Sequence, residues 1–153
     1  MEIAHLYGNI QTSALAPAIC IGFSQVAVSK EVKKFLIKSR DKASKHIELL
    51  GKKLKECYLK VPMTWNDTVT DSTTSPFSDK LIMFHLNSKM ATVIGDYGIS
   101  LAASARRDLA LLYGGMITEL GLFVEDGAKI MIENGWMEQP PSAADRDALP
   151  NNN

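Results

Sequence analysis

The sequence predicts an all-α protein, a four-helix bundle with one long crossover between the second and third helices. Three observations carry that reading. Apolar residues recur every three or four positions over four long segments, which is the period of a helix with one buried face. Proline, glycine and hydroxyl residues punctuate the ends of those segments. Midway, the stretch Met63–Ser78 is rich in Thr, Ser, Asp and Pro and has no apolar period. A chain of 153 residues suits one domain, which at this size buries about 70% of its unfolded surface and needs no staple. The bundle is expected over residues 1–138 and an extended C-terminal arm over 139–153, where Pro140-Pro141 and Asn151-Asn152-Asn153 oppose regular structure.

In the first segment Ile3, Leu6, Ile10, Ser13, Pro17, Cys20 or Ile21 and Ser24 give a helix whose surroundings are also apolar. It is expected to be buried on more than one side, with a bend at Pro17, which lacks an amide proton and crowds the preceding turn. From Ser29 to Lys60 the inward positions are Val32, Leu36, Ser39, Ala43, His46, Leu50, Leu54 and Cys57. Ser29 can cap the free amides, Glu31 complements the positive end of the dipole, and Pro62 is expected to stop the helix. A helix of about 30 residues is roughly 45 Å long, and a loop of about 16 residues reaches on the order of 50 Å. The chain can therefore return along the bundle, with Trp65 as an apolar anchor, and start the third helix parallel to the second.

The third helix is expected over Ser78–Ala103. The fourth is expected over Ala105–Asn134, with Ser104 as N-cap, Asp108 near the positive end, and Gly135 as a left-handed C-cap over which Trp136 packs back. Gly95 and Gly98 in the third helix, and Gly114, Gly115, Gly121 and Gly127 in the fourth, each cost up to about 1 kcal/mol relative to alanine. Close backbone approach would offset that cost, so Gly95, Gly98, Gly115 and Gly121 are candidates for tight helix contacts within the bundle or across a homodimer interface. The competing reading is room for a ligand.

Composition excludes several classes. Cys20 and Cys57 match no zinc or redox spacing. The apolar run Ala14–Val28 is shorter than the roughly 20 residues a membrane span needs, and Glu2 and His5 stand where a signal peptide would be basic, so a cytoplasmic chain without a membrane span is expected. The net charge is zero, yet residues 30–60 hold 11 Lys and Arg against 4 Asp and Glu, and the rest holds 6 against 13. Lys30, Lys34, Lys38, Lys42 and Lys45 form a stripe at helical spacing. No aromatic residues interleave it to stack on bases, so nucleic acid is not an expected partner and a solvated face is the plainer reading.

Several stretches carry a resemblance: Pro76-Phe77-Ser78-Asp79-Lys80-Leu81-Ile82-Met83-Phe84-His85, Gly95-Asp96-Tyr97-Gly98, and the run from Glu125-Asp126-Gly127 to Asn134-Gly135-Trp136. With Glu2-Ile3-Ala4-His5-Leu6, Phe23-Ser24-Gln25-Val26-Ala27, Pro62-Met63-Thr64-Trp65 and Glu138-Gln139-Pro140-Pro141, they make nearly the whole chain similar to an uncharacterised ferritin-like four-helix-bundle family of spore-forming bacteria, related to spore-coat protein F. The resemblance implies a ferritin-like fold and a structural or assembly role with spore-coat proteins as partners.

A ferritin-like di-iron centre needs inward carboxylates and a Glu-x-x-His pair on each of two helices. His46 lies on the inward stripe, but Ala43 stands where the paired carboxylate is needed, and the fourth helix carries Glu119, Glu125 and Asp126 without a histidine. No metal, cofactor or catalytic residue is therefore assigned, and an enzyme is not expected. His46 is read as a buried group needing a polar partner. Asp96 is the expected partner, with Tyr7, Gln11 and Glu119 as the other candidates. The alternative function is a metal- or small-molecule-binding bundle centred on His46 and Asp96.

Overall fold

A computed structural model describes residues 1–137. The expected arm, and the last residue of the expected bundle, lie outside the described residues. Five α-helices, α1 (Glu2–Ser13), α2 (Ala16–Val26), α3 (Lys30–Glu56), α4 (Asp79–Ala103) and α5 (Arg107–Glu133), build four rods, the first made of α1 and α2 end to end. Among the described residues there is no strand, and no helix is long and apolar enough to cross a membrane.

The first rod breaks where a bend was expected. α1 stops at Ser13 and α2 starts at Ala16, which puts Pro17 in its first turn. Proline is tolerated there because the amide it lacks has no intrahelical partner anyway. Burial on more than one side holds for α2, where only Gln25 is exposed, and not for α1, which buries the single face Leu6, Asn9, Ile10 and Ser13 and leaves Ile3 half exposed.

Ser29 caps α3, its Oγ accepting from the amides of Glu31 at 3.2 Å and Val32 at 3.5 Å. The helix ends at Glu56, earlier than Pro62 requires. Leu59 N–H donates to Leu54 O at 3.0 Å and Tyr58 N–H to Lys55 O at 2.9 Å, with Tyr58 in the left-handed region at φ 58°. This double bond is the Schellman closure, here without the usual glycine. The same closure recurs after α5, where Gly135 at φ 67° and Trp136 N–H bonded to Met131 O at 2.8 Å end the helix as expected. α5 starts at Arg107, and Ser104 does not cap it. Ser104 Oγ bonds back to Ser100 O within α4, and Glu2 Oε1 accepts the Arg106 amide at 2.9 Å instead.

Two carboxylate clips fix the topology. At one end the Asp79 carboxylate accepts the amides of Val28 at 3.0 Å and Ser29 at 2.7 Å, tying the start of α4 to the turn between α2 and α3. At the other end Glu2 holds Arg106, and Lys53 pairs with Asp108 at 3.0 Å. α4 therefore runs parallel to α3, and α5 parallel to the first rod. The crossover, residues 57–78, returns along the bundle. Val61 packs on Gly51, Val69 faces Gly22, and Phe77 meets Phe23 edge-on at 6.1 Å. Trp65 is 55% exposed, so these three residues rather than the tryptophan anchor it.

The core divides along the bundle. Near the Asp79 clip, Val32, Leu36, Ile82, Met83, Met131 and the stacked Phe35–Phe123 pair at 4.4 Å form one cluster. Near the Glu2 clip, Leu6, Ile10, Leu50, Leu54, Leu109 and Tyr113 form the other. Cys20 lies buried in the first cluster and Cys57 is exposed beyond the end of α3, so both are free thiols.

The glycines separate into two kinds. A Cβ on Gly127 would overlap Asn87 Oδ1 and stand 2.7 Å from Phe35 Cζ. A Cβ on Gly95, Gly98, Gly114, Gly115 or Gly121 would meet nothing within 4 Å, so the expected intra-bundle contacts are not made at those positions. Gly127→Ala is expected to lower the unfolding free energy by about 1–3 kcal/mol through overpacking. Gly115→Ala should raise it by up to about 1 kcal/mol through helix propensity. Urea midpoints of the two variants, compared with the parent, check the contrast.

Candidate functional site

The middle of the bundle, between the two apolar clusters, holds its most polar interior. α3 turns His46 inward about two turns after Ser39, and α4 turns Tyr97 inward on the stripe Leu86, Met90, Val93, Tyr97, Ser100. His46 is 2% exposed. Its Nδ1 lies 3.4 Å from Tyr97 Oη, and its Nε2 lies 3.4 Å from Glu119 Oε2. Glu119, on α5, also accepts from Lys42 Nζ at 2.8 Å and Lys45 Nζ at 2.9 Å. An ionised Glu119 can only accept, so the hydrogen bonds run in one direction: Nε2–H donates to Glu119 and Tyr97 O–H donates to Nδ1.

Charge follows this geometry. The bonds from Lys42 and Lys45, together outweighing burial, hold the Glu119 carboxyl down to about 2. Burial lowers the His46 imidazole below its ordinary range, and the pull of Glu119 only partly opposes it. Burial likewise raises the Tyr97 phenol, so the ring chain is neutral throughout. Lys42 Nζ also sits 5.1 Å over the Phe123 ring, which adds a cation–π contact to the ion pair.

A second polar group lies toward the Glu2 end. Asn9 Nδ2 donates to Ser100 Oγ at 2.7 Å and to Tyr113 Oη at 3.3 Å, and Ser100 Oγ donates to Asp96 O at 2.7 Å. Tyr97 and Tyr113 join the two groups through rings 5.8 Å apart. A cavity of about 50 Å³ adjoins His46, lined among others by Ser13, Cys20, Ser39, Met90 and Tyr97. Burial pushes the Cys20 thiol up to about 12, so it is a packing group there and not a nucleophile.

Of the residues singled out from the sequence, the structure brings together His46 and Glu119. Asp96 is a correction: it sits one residue, or about 100° of helix, away from the buried stripe on which Tyr97 lies, and only its backbone oxygen joins the network. Tyr7 and Gln11 are exposed, because α1 buries Leu6, Asn9, Ile10 and Ser13. Asn9, Tyr97 and Ser100 were not among the candidates for the cluster, although their positions fall on the buried stripes of α1 and α4. Gly95, Gly115 and Gly121 are exposed, and Gly98 is half-buried.

The site offers a metal little. His46 Nε2 carries its proton and the Nδ1 lone pair is engaged by Tyr97, so ligation would break the phenol contact. Among the described residues no three His, Cys, Asp or Glu side chains converge as a metal cluster requires.

Comparison with known proteins places the chain. The family model described as "Protein of unknown function (DUF3231)" matches residues 1–149, so the chain belongs to that family. A solved structure of a candidate spore coat protein from Bacillus halodurans superimposes with a TM-score of 0.81 at 16% identity, over 94% of each chain. At that identity the likeness concerns the fold. No curated protein matches the chain.

His46→Ala is expected to cost about 1–3 kcal/mol of stability, since it removes a buried ring and the imidazole partner of the buried Tyr97 hydroxyl, while Glu119 keeps Lys42 and Lys45. Because the folded-state pKa of His46 is depressed, its contribution is complete above about pH 6.5 and is lost as pH falls below that value. Urea midpoints between pH 7 and pH 5 should fall in the parent and fall less in His46→Gln. Elemental analysis after refolding with ferrous iron should find fewer than two bound ions per chain, and two equivalents with ferroxidase turnover would refute the assignment.

Proposed function

We propose that this DUF3231 protein is a structural or assembly component associated with the spore coat, and that it works as a homodimer. We read the four rods and single long crossover as a ferritin-like bundle, with the central position given to a polar cluster instead of a di-iron site. The observation that carries the reading is the near full-length likeness in fold to the candidate spore coat protein of Bacillus halodurans. Exposed apolar side chains on the last two helices support self-association: Phe84 at 59% and Ile99 at 62% on α4, Leu111 at 68% and Leu122 at 65% on α5. Isolated exposed apolar residues are ordinary on a monomer, but rows of them along a helix mark a contact surface.

A second reading is a small-molecule binder. The cavity beside His46 favours it, and at about 50 Å³ the space suits a ligand of a few heavy atoms. The Asp96 half of the original reading falls away with its placement outside the cluster.

A fluorescent fusion expressed during sporulation in a Bacillus host tests the main reading. The expected outcome is a shell of fluorescence around the forespore and recovery of the protein in the detergent-extracted coat fraction. Diffuse mother-cell fluorescence with no coat-fraction protein would refute it. Light scattering across a concentration series should return twice the mass of one chain.

A further inference from the structure

We infer that a second copy of this chain covers the outer face of α4, its own α4 lying antiparallel across a two-fold axis between Ala91 and Thr92. The inference rests on the self-association proposed above and assigns its surface and register.

Beyond Lys80 the exposed positions of α4 carry no Asp, Glu, Lys or Arg, and His85, Ser88 and Thr92 are its polar ones. Its inward stripe is buried, and its outward stripe contains no Asp, Glu, Lys or Arg from Leu81 to Ala102 at helical spacing. The order along that outer stripe reads alike in both directions. Taken from the midpoint outward it gives Ala91 and Thr92, then Ser88 and Gly95, then Phe84 and Ile99, then Leu81 and Ala102. Small residues occupy the centre, and large exposed ones stand on both sides of it, Leu81 at 49%, Phe84 at 59% and Ile99 at 62%.

Two crossing helices approach most closely at the crossing point and diverge on either side. Small residues at the centre let the backbones meet, and bulky ones fill the widening gap. A stripe symmetric about its midpoint is self-complementary under a two-fold axis, which is the commonest closed symmetry and presents the same patch on both subunits. Gly95, like Gly98, Gly114, Gly115 and Gly121, leaves room for close approach. Its missing side chain faces open space within the chain, so nothing in one copy offsets the cost of a mid-helix glycine.

The flanks suit the same partner. No charged side chain of Asp, Glu, Lys or Arg occurs between residues 3 and 29, which make up nearly all of α1 and α2, and α1 packs beside α4. A 25-residue helix about 37 Å long presents on the order of 400 Å² along one face. A standard interface buries roughly 800 Å² per partner, so α4 and its uncharged neighbour can reach that size together. A membrane surface fits less well, because helices that lie on lipid carry an excess of basic residues beside their apolar face, whereas Lys80 and Lys89 of α4 are balanced by Asp79 and Asp96.

Single-cysteine variants in a Cys57→Ser background, where the remaining Cys20 is buried, test the register. Thr92→Cys alone should form a disulfide-linked dimer on mild oxidation. Phe84→Cys alone and Ile99→Cys alone should not, since equivalent positions in the two copies lie about 22 Å apart along the helix. An equimolar mixture of those two variants should cross-link. Gly95→Leu, unhindered within one chain, should weaken dimerisation by roughly tenfold or more. A dimer by light scattering that shows none of this pattern overturns the α4 assignment and leaves self-association standing. A strictly monomeric chain overturns both.

Discussion

The return of the chain along its own length is the constraint on which the other features depend. α3 is 27 residues long and delivers the chain to the end of the bundle opposite to its own start. α4 nevertheless begins beside that start, because Asp79 closes on the amides of Val28 and Ser29. Only with α3 and α4 parallel do His46 and Tyr97, each somewhat past midway in its helix, come to the same height. Only then does α5 descend past His46 so that Glu119 reaches it. Had the connection been short, α4 would run the other way, and the inward stripes would present different partners.

Much of this was legible because long helices advertise their period. The crossover could be inferred from length alone, since a gap of that size in a bundle is more than a turn needs, and the Gly135 closure from the residue that suits it best. The failures are physical as well. Tyr58 ends α3 in a conformation its side chain disfavours, and no residue type announces such an ending. Asp96 looked inward because it lay between glycines, whereas the apolar stripe of α4 puts its neighbour Tyr97 inward. Six helical glycines look alike in sequence, yet only the surroundings distinguish Gly127, pressed against Asn87 and Phe35, from those that face open space.

The basic segment also reads differently once folded. Lys42 and Lys45 converge on one carboxylate, and Lys53 bridges Glu56 and Asp108. Two of the five stripe lysines are thus internal electrostatics of the α3–α5 seam. These pairs are partly exposed, and such pairs are weak net stabilisers, so the arrangement fixes which face of α5 meets α3 more than it adds to stability. The same carboxylate opposes the desolvation of His46, linking the seam to the interior.

The break between α1 and α2 lies at the level of the cavity, where Ser13 and Ala16 both line its wall. α1 serves the apolar cluster at one end through Leu6 and Ile10, and α2 serves the other through Cys20. α3, α4 and α5 run unbroken through both. The molecule is therefore divisible along one rod only. α1 is expected to open as a sub-global unit, exposing Asn9, Ser100 and Tyr113 to solvent while α2 stays docked, with the two halves of the first rod in separate cooperative units of amide exchange.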